Sequence, residues 1–255
     1  MAVRMAKGSK RPTSEIQLED SGELARGDRK VRAGFRINQT EILAGGIVEV
    51  EFFLEELSGK GFYLAAGGSR TRWRPAFFEI QATLEGHEIE LSDPFEKVPE
   101  LGGPATSIQI EPHTRYQQTI LVNEFVRLEK LSAVLVDDEN GLLRLNCRRP
   151  LPLADTSEQS FEIDQLSPTV EGNLSVKVRR DDAALESFIS RLTNHVRADR
   201  GAMVSADREA NIAKLGALRS PMALPYLQSL ANHPDPVVQL YVTRAITLLN
   251  QESSN

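Results

Sequence analysis

The most concentrated chemistry in the chain lies at positions 69–78, SRTRWRPAFF, where the only Trp stands among three arginines and just ahead of two phenylalanines. Side chains alternate along an extended segment, so Arg70, Arg72 and Arg74 share one face and Trp73 takes the other. Arginine and tryptophan are enriched among the residues that dominate interface energies. The segment therefore reads as a recognition patch for another protein, with Arg70, Arg72, Trp73 and Arg74 as its contacts. The structural alternative keeps Trp73 as a core anchor and the arginines as a charged edge that resists strand addition.

Other chemistries lack the residues they need. Nucleophilic catalysis requires a nucleophile framed by a base, and there is no G-x-S-x-G elbow. Cys147 sits in LLRLNCRRP, a position for an inward strand thiol. Neither G-x-G-x-x-G nor G-x-x-x-x-G-K-[ST] occurs, so no phosphate loop is present. His87, His113, His195 and His233 show no ligand spacing, and His87 falls in a predicted turn. The acidic pairs Glu55-Glu56, Asp137-Asp138 and Asp181-Asp182 are adjacent, which on a strand sends the two carboxylates to opposite faces. No catalytic residue, metal or cofactor is assigned, and the chain reads as non-enzymatic.

Two short patterns carry no assignment. Arg26-Gly27-Asp28 spells an integrin-type tripeptide in what reads as a polar linker, and Asn38-Gln39-Thr40 and Asn173-Leu174-Ser175 fit the glycosylation acceptor pattern. The basic run Arg29, Lys30, Arg32 and Arg36 alternates with Val31 and Phe35, as an edge-strand surface would.

Composition narrows the class. Of 255 residues, 40% are hydrophobic and 26% charged, which is ordinary for a globular protein. No run approaches the roughly 18 apolar residues of a membrane helix, so membrane insertion is not expected. A single cysteine cannot build a disulfide framework and agrees with a reducing, cytoplasmic setting; an exported domain that has lost its signal is the alternative. The net charge is -6, with four bases and no acid in residues 1–14 and a net -9 across residues 15–180. So acidic a body does not suit phosphate neutralisation, and nucleic acid is not the expected partner.

These residues need elements to position them. From about residue 30 to 180, short β-branched or aromatic runs are bounded by Gly, Pro, Asp and Asn, which predicts roughly nine to eleven strands. In IVEVEFFLEEL, residues 47–57, period two places Val48, Val50, Phe52 and Leu54 on one apolar face. Glu85-Gly86-His87 marks a hairpin turn. Without helical crossovers the strands are expected to pair antiparallel, packed as a sandwich.

After residue 180 the period becomes helical. Asp181-Asp182 caps a helix with Leu185, Phe188, Ile189, Leu192 and Val196 on one stripe, and a second helix over 206–218 has Asp207 as cap and Ala210, Ala213, Leu215 and Leu218 inward. Ser220-Pro221 and Asp235-Pro236 open two more. Laid at an offset of 38, Phe188, Ile189, Leu192, Asn194 and His195 fall on Tyr226, Leu227, Leu230, Asn232 and His233. A period of about 30–40 residues in paired helices indicates a short α-solenoid. The two matched histidines would sit at helix C-termini and complement the dipole.

Residues 215–249, LGALRSPMALPYLQSLANHPDPVVQLYVTRAITLL, resemble a HEAT-type repeat in their Leu-Gly pair, Pro-started helix and Asp-Pro turn. More loosely, AGGIVEVEFFLEELSGKGFYL and IEPHTRYQQTILVNEF resemble bacterial immunoglobulin-like modules. The resemblance implies an antiparallel immunoglobulin-like β-sandwich with a C-terminal four-helix HEAT-like segment, divided as a basic tail at 1–14, a sandwich at 15–180 and helices at 181–251. With two units the helical array is too short to stand alone and should pack on the sandwich. The function expected is a protein–protein interaction or scaffold module. The competing expectation is a ligand-binding protein or enzyme with a pocket where sandwich and helices join, lined by Arg72, Arg74, His113, Arg115 and Tyr116.

Overall fold

A computed structural model describes residues 18–26, 29–65, 77–91, 107–131, 135, 140–154, 168–198 and 206–252. The strand at 161–166 and the patch at 69–76 lie outside these residues. The strands are β1 (Leu18–Arg26), β2 (Arg29–Ile37), β3 (Glu41–Leu43), β4 (Glu49–Glu56), β5 (Phe62–Ala65), β6 (Glu79–Leu84), β7 (His87–Glu88), β8 (Ser107–Ile110), β9 (Arg115–Leu121), β10 (Asn140–Pro150), β11 (Leu153–Ala154) and β12 (Thr169–Arg179). They form sheets of order β1-β2-β4-β9, β3-β12-β10-β6-β7 and β11-β5-β8.

The alternation read from residues 47–57 sets the register. Val48, Val50, Phe52 and Leu54 are buried, and Phe52 meets Phe35 of β2 at 5.4 Å between ring centroids. Phe53 is buried as well, because the Arg115 guanidinium covers its ring at 4.2 Å. β10 and β12 alternate strictly and pair over their full length, Asn140 opposite Arg179 through Pro150 opposite Thr169. All three sheets feed one hydrophobic core. There Phe35 closes on Gly172 of β12, where a methyl group would meet the ring at 2.8 Å.

Several expectations are corrected. β3 joins β12 in parallel, Lys177 opposite Glu41 through Arg179 opposite Leu43, so the pairing is not wholly antiparallel. Three residues suffice for this contact, and the described chain between β3 and β12 runs through other strands and two 3-10 turns. The strand β2 is interior, between β1 and β4, and its bases are paired: Lys30 with Glu23 at 2.6 Å, Arg32 with Glu55 at 3.5 Å and Arg36 with Glu51 at 2.5 Å. Arg26 ends β1 opposite Arg29, so the integrin-like tripeptide begins in a strand rather than a linker. In the predicted hairpin the turn is Glu85-Gly86, both at positive φ (49° and 86°) as a two-residue primed turn requires, and His87 already belongs to β7.

The helices are α1 (Asp182–Ala198), α2 (Ala206–Ala217), α3 (Leu224–Gln228) and α4 (Pro236–Glu252). Asp181 caps α1, its Oδ1 accepting the Ala184 N–H at 2.8 Å, and Asp235 Oδ1 accepts the Val237 N–H at 2.8 Å. On α2 Ile212, Leu215, Gly216 and Ala217 are buried, while Ala210 is exposed and Asp207 lies inside the helix rather than at its cap. The third helix is shorter than its pattern. A 3-10 turn at Pro221–Ala223 precedes it, Pro225 withholds an N–H in its first turn, and beyond Gln228 the backbone closes 3-10-type bonds such as Leu230 N–H to Leu227 C=O at 2.9 Å.

A second core holds the helices together, and Ile47 belongs to it, with Leu43 and Leu121 packed against it. Two ion pairs tie the same seam: Lys214 of α2 to Glu49 of β4 at 2.9 Å, and Arg244 of α4 to both oxygens of Glu124 at 2.9 and 2.5 Å. The Glu124 side chain is 5% exposed and that of Arg244 9%, so removing either strands a desolvated charge. Glu124→Ala and Arg244→Ala should each lower the unfolding free energy by about 2 kcal/mol. The double variant should cost less than their sum, which a denaturant double-mutant cycle measures.

Candidate functional site

The outward face of the sheet β3-β12-β10-β6-β7 is built in rows by its register. One row is ionic, with Arg148 between Glu171 at 3.5 Å and Glu79 at 3.3 Å. The next row is all amide: Asn173, Asn146 and Gln81 stand side by side, and Asn146 Nδ2 donates to Asn173 Oδ1 at 3.2 Å. The third row runs Ser175, Arg144, Thr83 and Glu88. Arg144 has only hydroxyl residues beside it and no carboxylate partner among the described residues, whereas Arg148 and Arg179 on this sheet each contact two carboxylates.

The amide and Arg144 rows line an open groove of about 420 Å³ that ends at Glu88. On the other side of Glu88 a second depression of about 270 Å³ has Leu84, Ile89 and Leu131 as its floor and His87, Glu90 and Lys130 on its rim. Lys130 and Arg127 both bond Glu90 and hold its carboxyl below the usual carboxylate range, Lys130 chiefly. A polar groove carrying an unbalanced cation and a small apolar pocket therefore adjoin across the edge strand β7. This arrangement presents a cation, amide groups and an apolar recess to a bound group.

The residues singled out from sequence are dispersed. Arg70, Arg72, Trp73 and Arg74 lie outside the described residues. Phe77 and Phe78, which end that segment, are described: Phe77 has φ 67°, and the Phe78 ring packs on Phe52 at 5.5 Å. His113, Arg115 and Tyr116 stand at the start of β9, about 20 Å of extended strand from Leu121, the residue of β9 that meets the helices. They are engaged where they are: the His113 N–H donates to Glu56 at 2.9 Å, Arg115 covers Phe53, and the Tyr116 hydroxyl donates to Gln118 at 2.9 Å. At the junction itself Leu43, Ile47, Leu121, Leu185 and Leu218 pack together, and Gly45 touches Leu185 and Ser220.

Cys147 is buried, which pushes its thiol up to about 12 and removes it as a nucleophile near neutral pH. His195 Nδ1 lies 2.8 Å from the Arg191 carbonyl in the last turn of α1, and His233 Nδ1 accepts the Asp235 N–H at 3.1 Å. No group of three His, Cys, Asp or Glu among the described residues could hold a metal. No helix among them is long and apolar enough to cross a membrane.

Sequence reasoning missed the groove at Arg144. Its members come from four strands, and only the cross-strand register brings them together. The one local signal is the alternation Arg144, Asn146, Arg148, which marks a polar outward face without saying what stands beside it.

Fold and site together define a β-rich protein of mainly antiparallel sheets with a C-terminal segment of four helices. No family model and no curated protein matches the chain. Among solved structures it is similar to the CARDB domain of a Pyrococcus furiosus protein. The crystal structure of that domain aligns at 10% identity and TM-score 0.23 over 67% of this chain and 100% of that one, and the solution structure at 10% and 0.23 over 58% and 92%. It is also similar to a fragment of Escherichia coli alpha-2-macroglobulin, at 12% identity and TM-score 0.25 over 87% of this chain and 33% of that one.

Proposed function

We propose that the chain is a non-enzymatic protein–protein interaction module, in which an immunoglobulin-like β-sandwich over residues 15–180 carries a short HEAT-like helical segment over 181–251. The observation that carries this reading is the seam between sheets and helices. It is packed with Ile47, Leu121, Leu185 and Leu218 and closed by the Arg244–Glu124 and Lys214–Glu49 pairs. A junction pocket would need polar groups converging on a cavity there, and His113, Arg115 and Tyr116 stand instead at the far end of β9, where Arg115 covers Phe53 and Tyr116 bonds Gln118. A body this acidic favours a protein partner over nucleic acid.

The test is capture of partners from lysate by the wild type, by an Arg72→Ala/Trp73→Ala/Arg74→Ala variant verified as folded, and by Arg144→Gln. A defined protein retained by the wild type and lost by a folded variant supports the module and locates its surface. If the wild type retains nothing reproducible while a metabolite panel raises its Tm, the module is replaced by a ligand-binding reading.

A further inference from the structure

Resting on that reading, we infer that the outward face around Arg144 and Glu88 is a docking surface for a partner peptide that carries an acidic residue close to an apolar one. The acid is demanded by Arg144. Its cross-strand neighbours Ser175 and Thr83 supply no charge, Glu88 at the end of the same row makes no ion pair with it, and Lys177 follows Ser175 on the same face of β12, opposite Leu142. The neighbouring Arg148 is already held between Glu79 and Glu171. A planar cation with free donors takes a carboxylate in bidentate fashion, and this contact is stronger and more directional than one to a neutral acceptor.

The amide row fits a peptide rather than a bare anion. Asn146 and Gln81 present amide groups side by side on two strands, the complement of a main chain that offers both donors and acceptors. The apolar residue is demanded by the second depression, whose floor of Leu84, Ile89 and Leu131 lies just across Glu88. Leu91, one residue beyond the rim residue Glu90, is 60% exposed and would be covered by the same partner. Two interstrand steps, about 10 Å, separate Arg144 from Glu88, and an extended peptide rises about 3.3 Å per residue. The depression lies beyond Glu88, so the acidic and apolar residues of the partner stand at least four positions apart. Glu88, at the boundary, repels a second carboxylate and fixes which end of the peptide carries the acid.

The experiment is selection of a random nonapeptide library displayed on phage against the full chain, with counter-selection on Arg144→Gln. The winning peptide is then titrated by fluorescence anisotropy. The expected consensus has an acidic residue with a Leu, Ile, Val or Phe four or more positions away. Arg144→Gln should weaken the peptide about tenfold or more, as should replacing its apolar residue with Ser, while Arg148→Gln should leave it within about twofold. Binding should also weaken as NaCl rises. A selection that does not converge, a consensus without an acid, equal binding by Arg144→Gln, or glutarate binding as tightly as the peptide overturns the proposal. If Arg144→Gln keeps the lysate partner that the wild type captures, this surface is wrong and the interaction module stands. If the wild type captures nothing, the module itself fails.

Discussion

Arg149→Ala should lower the unfolding free energy by about 4 kcal/mol, and Arg149→Met by less than half as much. Arg149 has no exposed surface, and its guanidinium lies between the rings of Phe52 and Phe78 at 4.3 and 4.4 Å. It donates to Gln118 Oε1 at 3.2 Å and to the Ala65 carbonyl at 3.3 Å, and it meets no carboxylate among the described residues. Burial pulls its pKa down to about 10, against the opposing influence of Tyr116, whose hydroxyl shares Gln118 Oε1. The charge is therefore held by ring faces and two neutral acceptors.

Such an arrangement separates packing from charge. Truncation to alanine leaves a cavity beneath two phenylalanines, takes the guanidinium donor from the Ala65 carbonyl and leaves Gln118 Oε1 with the Tyr116 hydroxyl alone, so transfer, cavity and desolvation costs add. Methionine fills most of the same slot and contacts the rings through a polarisable sulfur, at the cost of the two hydrogen bonds alone. Chemical denaturation of the three proteins, with near-UV circular dichroism following the aromatic cluster, measures the difference. An equal loss in both variants would mean that the charge, not the volume, holds Phe52 and Phe78 in place.

How much of this was legible in the sequence depends on how local the cause is. Strand alternation at Val48, Val50, Phe52 and Leu54, the Asp181 cap and the Glu85-Gly86 turn are local, and the structure has them where the pattern puts them. The shortness of α3 was legible in principle, since Pro225 sits too far along to serve as a first helical residue. The interior position of β2 was not. Whether a basic strand lies at an edge depends on β1, whose polar run LEDSGELAR carries little apolar alternation and pairs through backbone and through Glu23. The parallel contact of β3 with β12 and the outward rows at Arg144 depend on register between strands far apart in sequence, which periodicity does not encode. Arg149 shows the limit most clearly. The alternation Cys147, Arg149 places it inward, where a charge is not expected, and only Phe52, Phe78 and Gln118 from three other segments make that position tenable.

Glu56→Ala should cost about 3–4 kcal/mol and should remove a step from the acid side of the stability profile. Glu56 ends β4 with 1% of its surface exposed, yet it is a carboxylate without a cationic partner among the contacts described for it. Burial alone would push its pKa up. Instead it is brought down to about 2 by the backbone N–H of His113 at 2.9 Å, the Ser58 hydroxyl, and the backbone N–H groups of Ser58 at 2.6 Å and Gly59 at 2.9 Å. One side chain thus satisfies the turn after β4 and the turn before β9, where Gly59 and His113 both take positive φ. A drop from 4.5 to about 2 corresponds to about 3 kcal/mol in favour of the folded, ionised form. Because the folded pKa is depressed, that contribution is complete above the unfolded value of 4.5 and is lost as pH falls toward 2. Urea denaturation of wild type and Glu56→Ala at pH 7, 4 and 2.5 reads both effects: the gap should be widest at pH 7 and should narrow steadily as pH falls. Glu56→Gln keeps one acceptor and the side-chain shape, so it should lie between the two at pH 7 and show no step of its own. A gap that stays constant from pH 7 to 2.5 would show that Glu56 acts through its volume and not through its charge.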